Sequence, residues 1–175
     1  SIIVAALAPF LGAIADQGSL RKRFLLVFAC MGIVGTGALW LVGQGQWQVA
    51  IMLYIIASVG FMSGNVFYDS LLTSVSTKED VDSLSALAYG LGYIGGGLLF
   101  LLNVAMVLKP EFFGLADAAS AIKLSFLMVS IWWAVFSIPI FLFVDEPKNE
   151  NVNKSSNFIL LGWMQLKSTF KEIRE

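Results

Sequence analysis

The stretch WQVAIMLYIIASVGFMSGNVFYDSLL, residues 47–72, decides the fold class of this chain. Its only acidic or basic side chain is Asp69, and it shows none of the period-two alternation that marks a barrel strand. A helix needs about 20 mostly apolar residues to cross a hydrocarbon core of about 30 Å. The stretch therefore predicts a membrane-spanning helix.

Four further stretches have the same character, and short polar connections separate all five. Short links between long helices favour antiparallel neighbours, so we expect an all-α, polytopic transmembrane bundle. The composition agrees, with 58% hydrophobic and 13% charged residues, against about a quarter charged in soluble domains. The four further spans are 1–15, 24–42, 85–108 and 122–144.

Composition also excludes several classes of function. The chain has no His, one Cys and a net charge of −1. It therefore lacks the usual ligands of zinc or haem, the residue pairs of nucleophilic catalysis, and the basic surface of a nucleic-acid binder. We expect no enzyme activity, no cofactor, no metal and no nucleic-acid partner, and a lipid bilayer as the surroundings.

Lysine and arginine residues predict the orientation of the bundle. Nine of the 11 fall on one side of the five-span zigzag and two on the other, which places the loop 17–23 and the C-terminal tail in the cytoplasm. The nine are Arg21, Lys22, Arg23, Lys78, Lys148, Lys154, Lys167, Lys171 and Arg174, and the two are Lys109 and Lys123.

The last part of the chain changes in composition after the fifth span. Residues 145–157 are polar and predict a cytoplasmic linker. In 158–175, apolar residues recur at steps of three and four, the spacing of one helical face. This segment is too polar to span, so it predicts an amphipathic interfacial helix, docked either on the membrane surface or on protein.

Polar residues inside the third span mark packing or a transport pathway. Asn65, Tyr68 and Asp69 share one helical face. The Asp69 carboxylate predicts either a salt bridge to the Arg21–Arg23 cluster or a carboxylate coupled to protons or substrate, unless it simply meets water at the boundary.

The fourth span carries two stripes. Tyr89, Tyr93 and Asn103 lie on one, and this stripe predicts either helix packing or, with Asn65 and Tyr68, the lining of a polar cavity. Gly92, Gly95 and Gly96 allow close helix packing, as do Gly32, Gly35 and Gly37 in the second span. Trp132 and Trp133 lie too deep in the span for an interfacial belt. The sequence leaves open whether they pack inside the bundle or face lipid.

The first loop carries a recognisable signature. GAIADQGSLRKR, residues 12–23, resembles the motif between the second and third helices of the major facilitator superfamily, although Gln17 stands where a basic residue is common. GNVFYDSLL (64–72), YGLGYIGGG (89–97) and SIPIFLFVDEP (137–147) follow in order. Together they resemble the vacuole-effluxer, autophagy-related amino-acid exporter family and its bacterial relatives within that superfamily.

The resemblance implies twelve helices in two halves that rock around a midplane cavity. The five spans would be helices two to six, so we expect the chain to be a segment whose first helix and C-terminal half are missing; the apolar, Met-less start at Ser1 favours the same interpretation. Gly12, Asp16 and the cluster Arg21, Lys22 and Arg23 carry the motif's gating role, and with Asp69 they predict a cytoplasmic latch.

The leading hypothesis is a segment of a secondary transporter for a small solute, with amino acids suggested by the resemblance. The alternative is a five-span membrane scaffold or assembly subunit that transports nothing. Short loops favour a bacterial plasma membrane over a fungal vacuole.

Overall fold

The computed structural model describes residues 20–75 and 80–146, and this part of the chain is all-helical. It contains four long helices: α1 (Arg21–Ala38), α2 (Trp47–Val75), α3 (Val81–Leu108) and α4 (Ala118–Phe143). Short 3₁₀ turns follow α1 and α3, at Leu39–Leu41 and Pro110–Phe113.

All four helices are long and apolar enough to cross a membrane, over Arg21–Leu41, Trp47–Leu71, Asp82–Leu108 and Ala118–Phe143. The predicted all-α class with transmembrane-length helices is thereby confirmed. Helices α1, α3 and α4 begin three or four residues before the predicted apolar runs at 24, 85 and 122. Apolarity reports only the part in hydrocarbon, whereas backbone hydrogen bonding continues into the polar flank.

Several predictions fall outside the described residues. They are the first span (1–15) with Gly12 and Asp16, most of the polar linker (147–157 of 145–157) and the amphipathic helix 158–175.

Helix α1 holds the described bundle together. It packs most extensively against α2 and also along α4, while α3 packs mainly against α4. Helices α2 and α3 touch sparsely, although only residues 76–80 join them. A short link therefore does not by itself bring these two neighbours into extensive contact. A short link fixes only the helix ends, and side-chain size along the facing surfaces decides how closely two helices pack.

Small residues bring the backbones of α1 and α2 together. A Cβ atom added at Gly60 would lie 2.6 Å from the Gly32 nitrogen and 2.7 Å from the Phe28 carbonyl oxygen. One turn of α1 further on, a Cβ at Gly35 would lie 3.2 Å from Ala57. Close approach of this kind gains van der Waals contact, which is the main attraction between helices in lipid.

Aromatic packing continues this interface toward the start of α1. The Phe67 ring stacks on Phe24 and Phe28, with centroids 5.3 and 5.7 Å apart. Phe67 is 2% exposed, and with the buried Leu25 and Leu71 it forms the apolar core of the described bundle.

Helix α4 is seated on α1 through the other glycines of the second predicted span. The Ser130 hydroxyl donates a 2.8 Å hydrogen bond to the Ile33 carbonyl, and a Cβ atom added at Gly37 would collide with this hydroxyl.

The two tryptophans of α4 also face its neighbours. The Trp133 ring covers Gly32 and meets Phe61 edge to face at 5.8 Å. The Trp132 ring contacts the Phe136 ring in a tilted arrangement, with centroids 4.5 Å apart, and reaches toward Gly95. Both tryptophans thus make contacts inside the bundle.

A capped turn joins α3 to α4 at the opposite end from Arg21. Gly114 has a φ of +70°, which L side chains rarely adopt. The Asp117 carboxylate then accepts a 2.8 Å hydrogen bond from the Ser120 N–H at the start of α4. The same hydrogen bond lowers the pKa of the Asp117 carboxyl, because it favours the charged form.

Candidate functional site

The basic end of the bundle, where α1 begins and α4 ends, is held by charge-assisted hydrogen bonds. The Glu146 carboxylate accepts from the backbone N–H groups of Arg21 at 2.6 Å and Lys22 at 3.3 Å. The Lys22 ammonium donates a 2.6 Å bond to the Val144 carbonyl at the end of α4. An anion at a helix start and a cation at a helix end each complement the helix dipole, so both bonds stabilise this junction.

Asp69 lies at the same end, on α2, and its partner differs from the expected one. The Tyr89 hydroxyl of α3 donates a 3.1 Å hydrogen bond to the Asp69 carboxylate. The Arg21 guanidinium reaches the neighbouring residue, where it donates a 3.4 Å bond to the Ser70 carbonyl. Sequence alone suggested a salt bridge from charge signs, whereas the direction of the Asp69 side chain decides which group it meets.

A cleft runs along the bundle between α2 and α4, with α1 as its floor. It consists of two cavities of about 190 Å³ and 570 Å³ that share Phe61 and Trp133. The smaller one lies toward the basic end and carries the polar groups of Asn65, Tyr68 and Ser137. The larger one is mainly apolar, with the polar groups of Thr36, Tyr54 and Ser58. A mostly apolar cleft with a few polar groups is typical of a small-molecule site.

A third cavity, of about 400 Å³, lies between α2, α3 and α4 at the basic end. This cavity adjoins the smaller part of the cleft, because both are lined by Tyr68, Phe136 and Ile140. Leu71, Leu84, Pro139 and Phe143 supply apolar walls. Tyr68 thus supplies a polar group at the boundary between the cleft and this cavity.

The five predicted cavity residues fall into two groups. Asn65 and Tyr68 line the cleft. The three residues of α3 are not among its lining: Tyr89 bonds Asp69, Tyr93 is 79% exposed, and Asn103 is half-buried. The Asn103 Oδ1 atom is itself buried and has no hydrogen-bond partner within the described part of the chain. A cavity role for these three stays a prediction.

The predicted packing glycines of α3 also differ from one another. A Cβ at Gly95 would lie 3.7 Å from Trp132, so this position faces α4. Gly92 and Gly96 have open space beside them within residues 20–75 and 80–146. Their role in close helix packing stays a prediction.

Sequence reasoning missed two residues that the structure brings to the site. Glu146 was treated as part of a linker, although a carboxylate just beyond the last apolar residue of a span is well placed to meet a neighbouring helix start. Ser137 lies within an apolar run, and only the turn of α4 shows that it faces the cleft. Residues 20–75 and 80–146 contain no group of three or more His, Cys, Asp or Glu residues arranged to hold a metal.

Comparison with known proteins places the chain in a family. It matches the family described as "Vacuole effluxer Atg22 like" over residues 1–79 and 73–175. It is 31% identical, over its whole length, to the uncharacterized MFS-type transporter YxiO of Bacillus subtilis, and covers 41% of that protein. It is 30% identical to Autophagy-related protein 22 of Pichia angusta, over 72% of the chain and 26% of that protein.

The chain thus spans less than half the length of these curated relatives. No solved structure matches it. The expected resemblance is confirmed by both comparisons, and the four membrane-length helices agree with an integral membrane protein. The chain belongs to the Vacuole effluxer Atg22-like family of the major facilitator type.

Proposed function

We propose that the whole protein is a secondary transporter that moves a small solute, of the amino-acid class, across a membrane by alternating access. The observation that carries the proposal is membership of an effluxer family whose relatives include an MFS-type transporter. The described residues form part of a membrane bundle and hold no metal cluster, which suits transport better than chemistry on a substrate.

The cleft supports the proposal because its size and lining suit a small amphiphilic solute. Asn65 offers an amide donor and acceptor, and Tyr68 offers a hydroxyl, beside aromatic and aliphatic walls. An amino acid presents matching polar groups and a side chain that is often apolar. We propose that Asn65 and Tyr68 contact the solute and that Tyr89, Tyr93 and Asn103 face the same pathway in the complete protein.

The basic end supplies a means of gating in this proposal. Gly12, Asp16, Arg21, Lys22 and Arg23 form the family's loop signature, and Asp69 stands on the facing helix. We propose that these charges close the cytoplasmic end in one state of the transport cycle. Paired charges of this kind bias a two-state equilibrium by a few kcal/mol at most.

We propose a bacterial plasma membrane as the location, with the basic loop and C-terminal tail in the cytoplasm. Relatives occur both in Bacillus subtilis, where the matching protein is named an MFS-type transporter, and in fungi, where they are named Autophagy-related protein 22. The partners in this proposal are lipid, the solute and the remaining helices of the complete transporter.

The second candidate function is a membrane scaffold that moves no solute. It is favoured by the extensive exposed apolar surface of α3, which suits an assembly contact as well as lipid. One simple measurement distinguishes the two functions. A scaffold leaves the distribution of solute across a sealed vesicle unchanged, whereas a transporter alters it.

The test uses the full-length protein, purified and reconstituted into liposomes. Uptake of a panel of labelled amino acids is compared with empty liposomes, with and without unlabelled amino acids inside. We expect uptake of at least one amino acid, stimulated by the trapped pool, and a loss of about tenfold in Asn65→Ala, which removes a polar contact to the solute.

Leu98→Ala serves as the matched control, because this side chain is 60% exposed on α3 and lies on the face opposite Tyr89 and Tyr93. Its uptake should equal that of the parent protein. A monodisperse, folded protein that moves no amino acid would overturn the amino-acid proposal, and one that moves no small solute at all would favour the scaffold.

A further inference from the structure

The contact between α2 and α3 is thin, and a polar bond lies in it. The two helices touch sparsely, yet the Tyr89 hydroxyl donates a 3.1 Å hydrogen bond to the Asp69 carboxylate. Asp69 lies two residues before Leu71, where the apolar, membrane-length part of α2 ends. A carboxylate inside such a stretch needs a partner or water.

A second donor reaches the residue next to Asp69. The Arg21 guanidinium donates to the carbonyl oxygen of Ser70, the residue that follows Asp69. Long arginine side chains reorient at low cost in rotamer energy, and a guanidinium bonds a carboxylate more strongly than a neutral hydroxyl does. Asp69 is therefore bonded by a neutral donor on α3, and a cationic donor on α1 is bonded to the next residue of α2.

We propose that Tyr89 is a positioning residue of the gate, and that Asp69 exchanges partners between Tyr89 and Arg21 during the transport cycle. When Tyr89 holds Asp69, the charge pair with Arg21 is not made and the basic end is open. When α3 moves away, the carboxylate turns to Arg21 and the basic end closes. This inference rests on the transporter proposal.

The packing around the pair explains why α3 is the moving part. Helices α1 and α2 meet backbone to backbone at Gly32 and Gly60, so Arg21 and Asp69 are carried by one rigid pair. Helix α3 makes few contacts with α2, so a small shift of α3 separates Tyr89 from Asp69 without disturbing the core. The hydrogen-bond partner of Asp69 at the basic end then depends on the position of α3.

The test measures, in the full-length protein, how accessible the cleft is from the basic end. Cys30, which is exposed on α1, is first replaced by Ala, and Ser137→Cys places a reporter thiol in the cleft. A membrane-impermeant maleimide is applied from the side of the basic end. Asp69→Asn should raise the labelling rate, because it weakens the closing pair. Tyr89→Phe should lower the rate about tenfold, because it releases Asp69 to Arg21.

The opposite signs distinguish a gate from a merely structural bond. A structural bond would make both substitutions loosen the same end, so equal signs overturn the inference. The double variant Tyr89→Phe with Asp69→Asn should behave as Asp69→Asn alone, since Tyr89 acts through Asp69. Additive effects of the two substitutions would also overturn it.

Leu91→Ala is the matched control, since Leu91 lies two residues after Tyr89 on α3 and is 61% exposed. It should label at the parent rate, and Tyr89→Leu should repeat the effect of Tyr89→Phe. If the opposite signs appear in a protein that moves no solute, the transporter proposal fails and the partner exchange stands. If transport occurs and Tyr89→Phe labels at the parent rate, the exchange fails and the transporter proposal stands.

Discussion

Helix α2 meets its two neighbours in opposite ways. Toward α1 it presents Gly60 and Phe67, and the two helices are in backbone contact with a stacked aromatic core. Toward α3 it makes few contacts, with the hydrogen bond between Asp69 and Tyr89 near the basic end. The difference teaches that one helix can belong to a rigid pair on one face and to a separable pair on the other.

The physical reason lies in what attracts helices to each other in a membrane. Lipid is as apolar as a leucine side chain, so burial of apolar area gains little, and close packing has to supply the attraction. Small residues on both α1 and α2 permit such packing, whereas bulky exposed side chains of α3 do not meet α2.

Gly60→Ala should separate the rigid pair. The added methyl group would lie within 3 Å of the backbone of α1 at Gly32 and Phe28, and the backbone has no rotamer with which to yield. We expect a loss of about 3 kcal/mol in stability, read as a lower thermal midpoint of the full-length protein in detergent. Gly64→Ala is the control, since its Cβ would meet only Leu25 Cδ1, at 3.9 Å. If Gly60→Ala and Gly64→Ala change the thermal midpoint equally, the backbone contact between α1 and α2 at Gly60 is contradicted.

Phe67→Ala should leave a cavity between the rings of Phe24 and Phe28. In lipid the transfer contribution is small, so the loss is mainly of packing, and we expect about 2 kcal/mol. Phe100→Ala on α3 removes a ring of the same size that is 66% exposed, and its stability should change by less than about 0.5 kcal/mol. Urea or thermal unfolding of both variants checks the contrast. Similar losses would mean that α3 is held as firmly as α2.

Glu146→Gln should weaken the junction of α1 and α4 at the basic end. The amide keeps an acceptor for the Arg21 and Lys22 N–H groups but loses the charge that favours a helix start. We expect about 1 kcal/mol or less, with the difference from the parent shrinking as salt is raised. Glu111→Gln, at an exposed site in the turn after α3, is the control. A loss of stability that does not change with salt would indicate that the substitution disturbs the hydrogen-bond geometry and not the charge interaction.

The smallest effect concerns pH at the opposite end. Hydrogen bonding to the Ser120 N–H lowers the pKa of Asp117 below its ordinary value of 3.8. The cap therefore stabilises α4 fully above that value, and its contribution is lost as the pH falls through the lowered pKa. A thermal midpoint followed from about pH 6 to pH 3 should drop less in Asp117→Asn than in the parent, because asparagine caps without titrating. Equal drops would rule out this cap as a source of the pH dependence.

Much of the fold could be predicted from the sequence, and much less of the site. Apolar run length located the four described long helices to within a few residues, and the glycines of α1 were correctly linked to packing. The partner of Asp69 could not be predicted, since charge signs favour Arg21 and only the rotation of α2 turns the carboxylate toward Tyr89. The polar stripe of α3 was also ambiguous, because a helix face is defined by sequence but its neighbour is not.

The sequence by itself determined that the chain is a helical membrane protein, because a helix in hydrocarbon has to satisfy its own backbone and be apolar over about 20 residues. It also determined the family, through short motifs that keep their order. Only the tertiary structure decided that α2 binds α1 tightly and α3 loosely, that Glu146 meets the start of α1, and that Asn65 and Tyr68 share a cleft with Ser137. These facts depend on how helices rotate and approach, which distant residues set together.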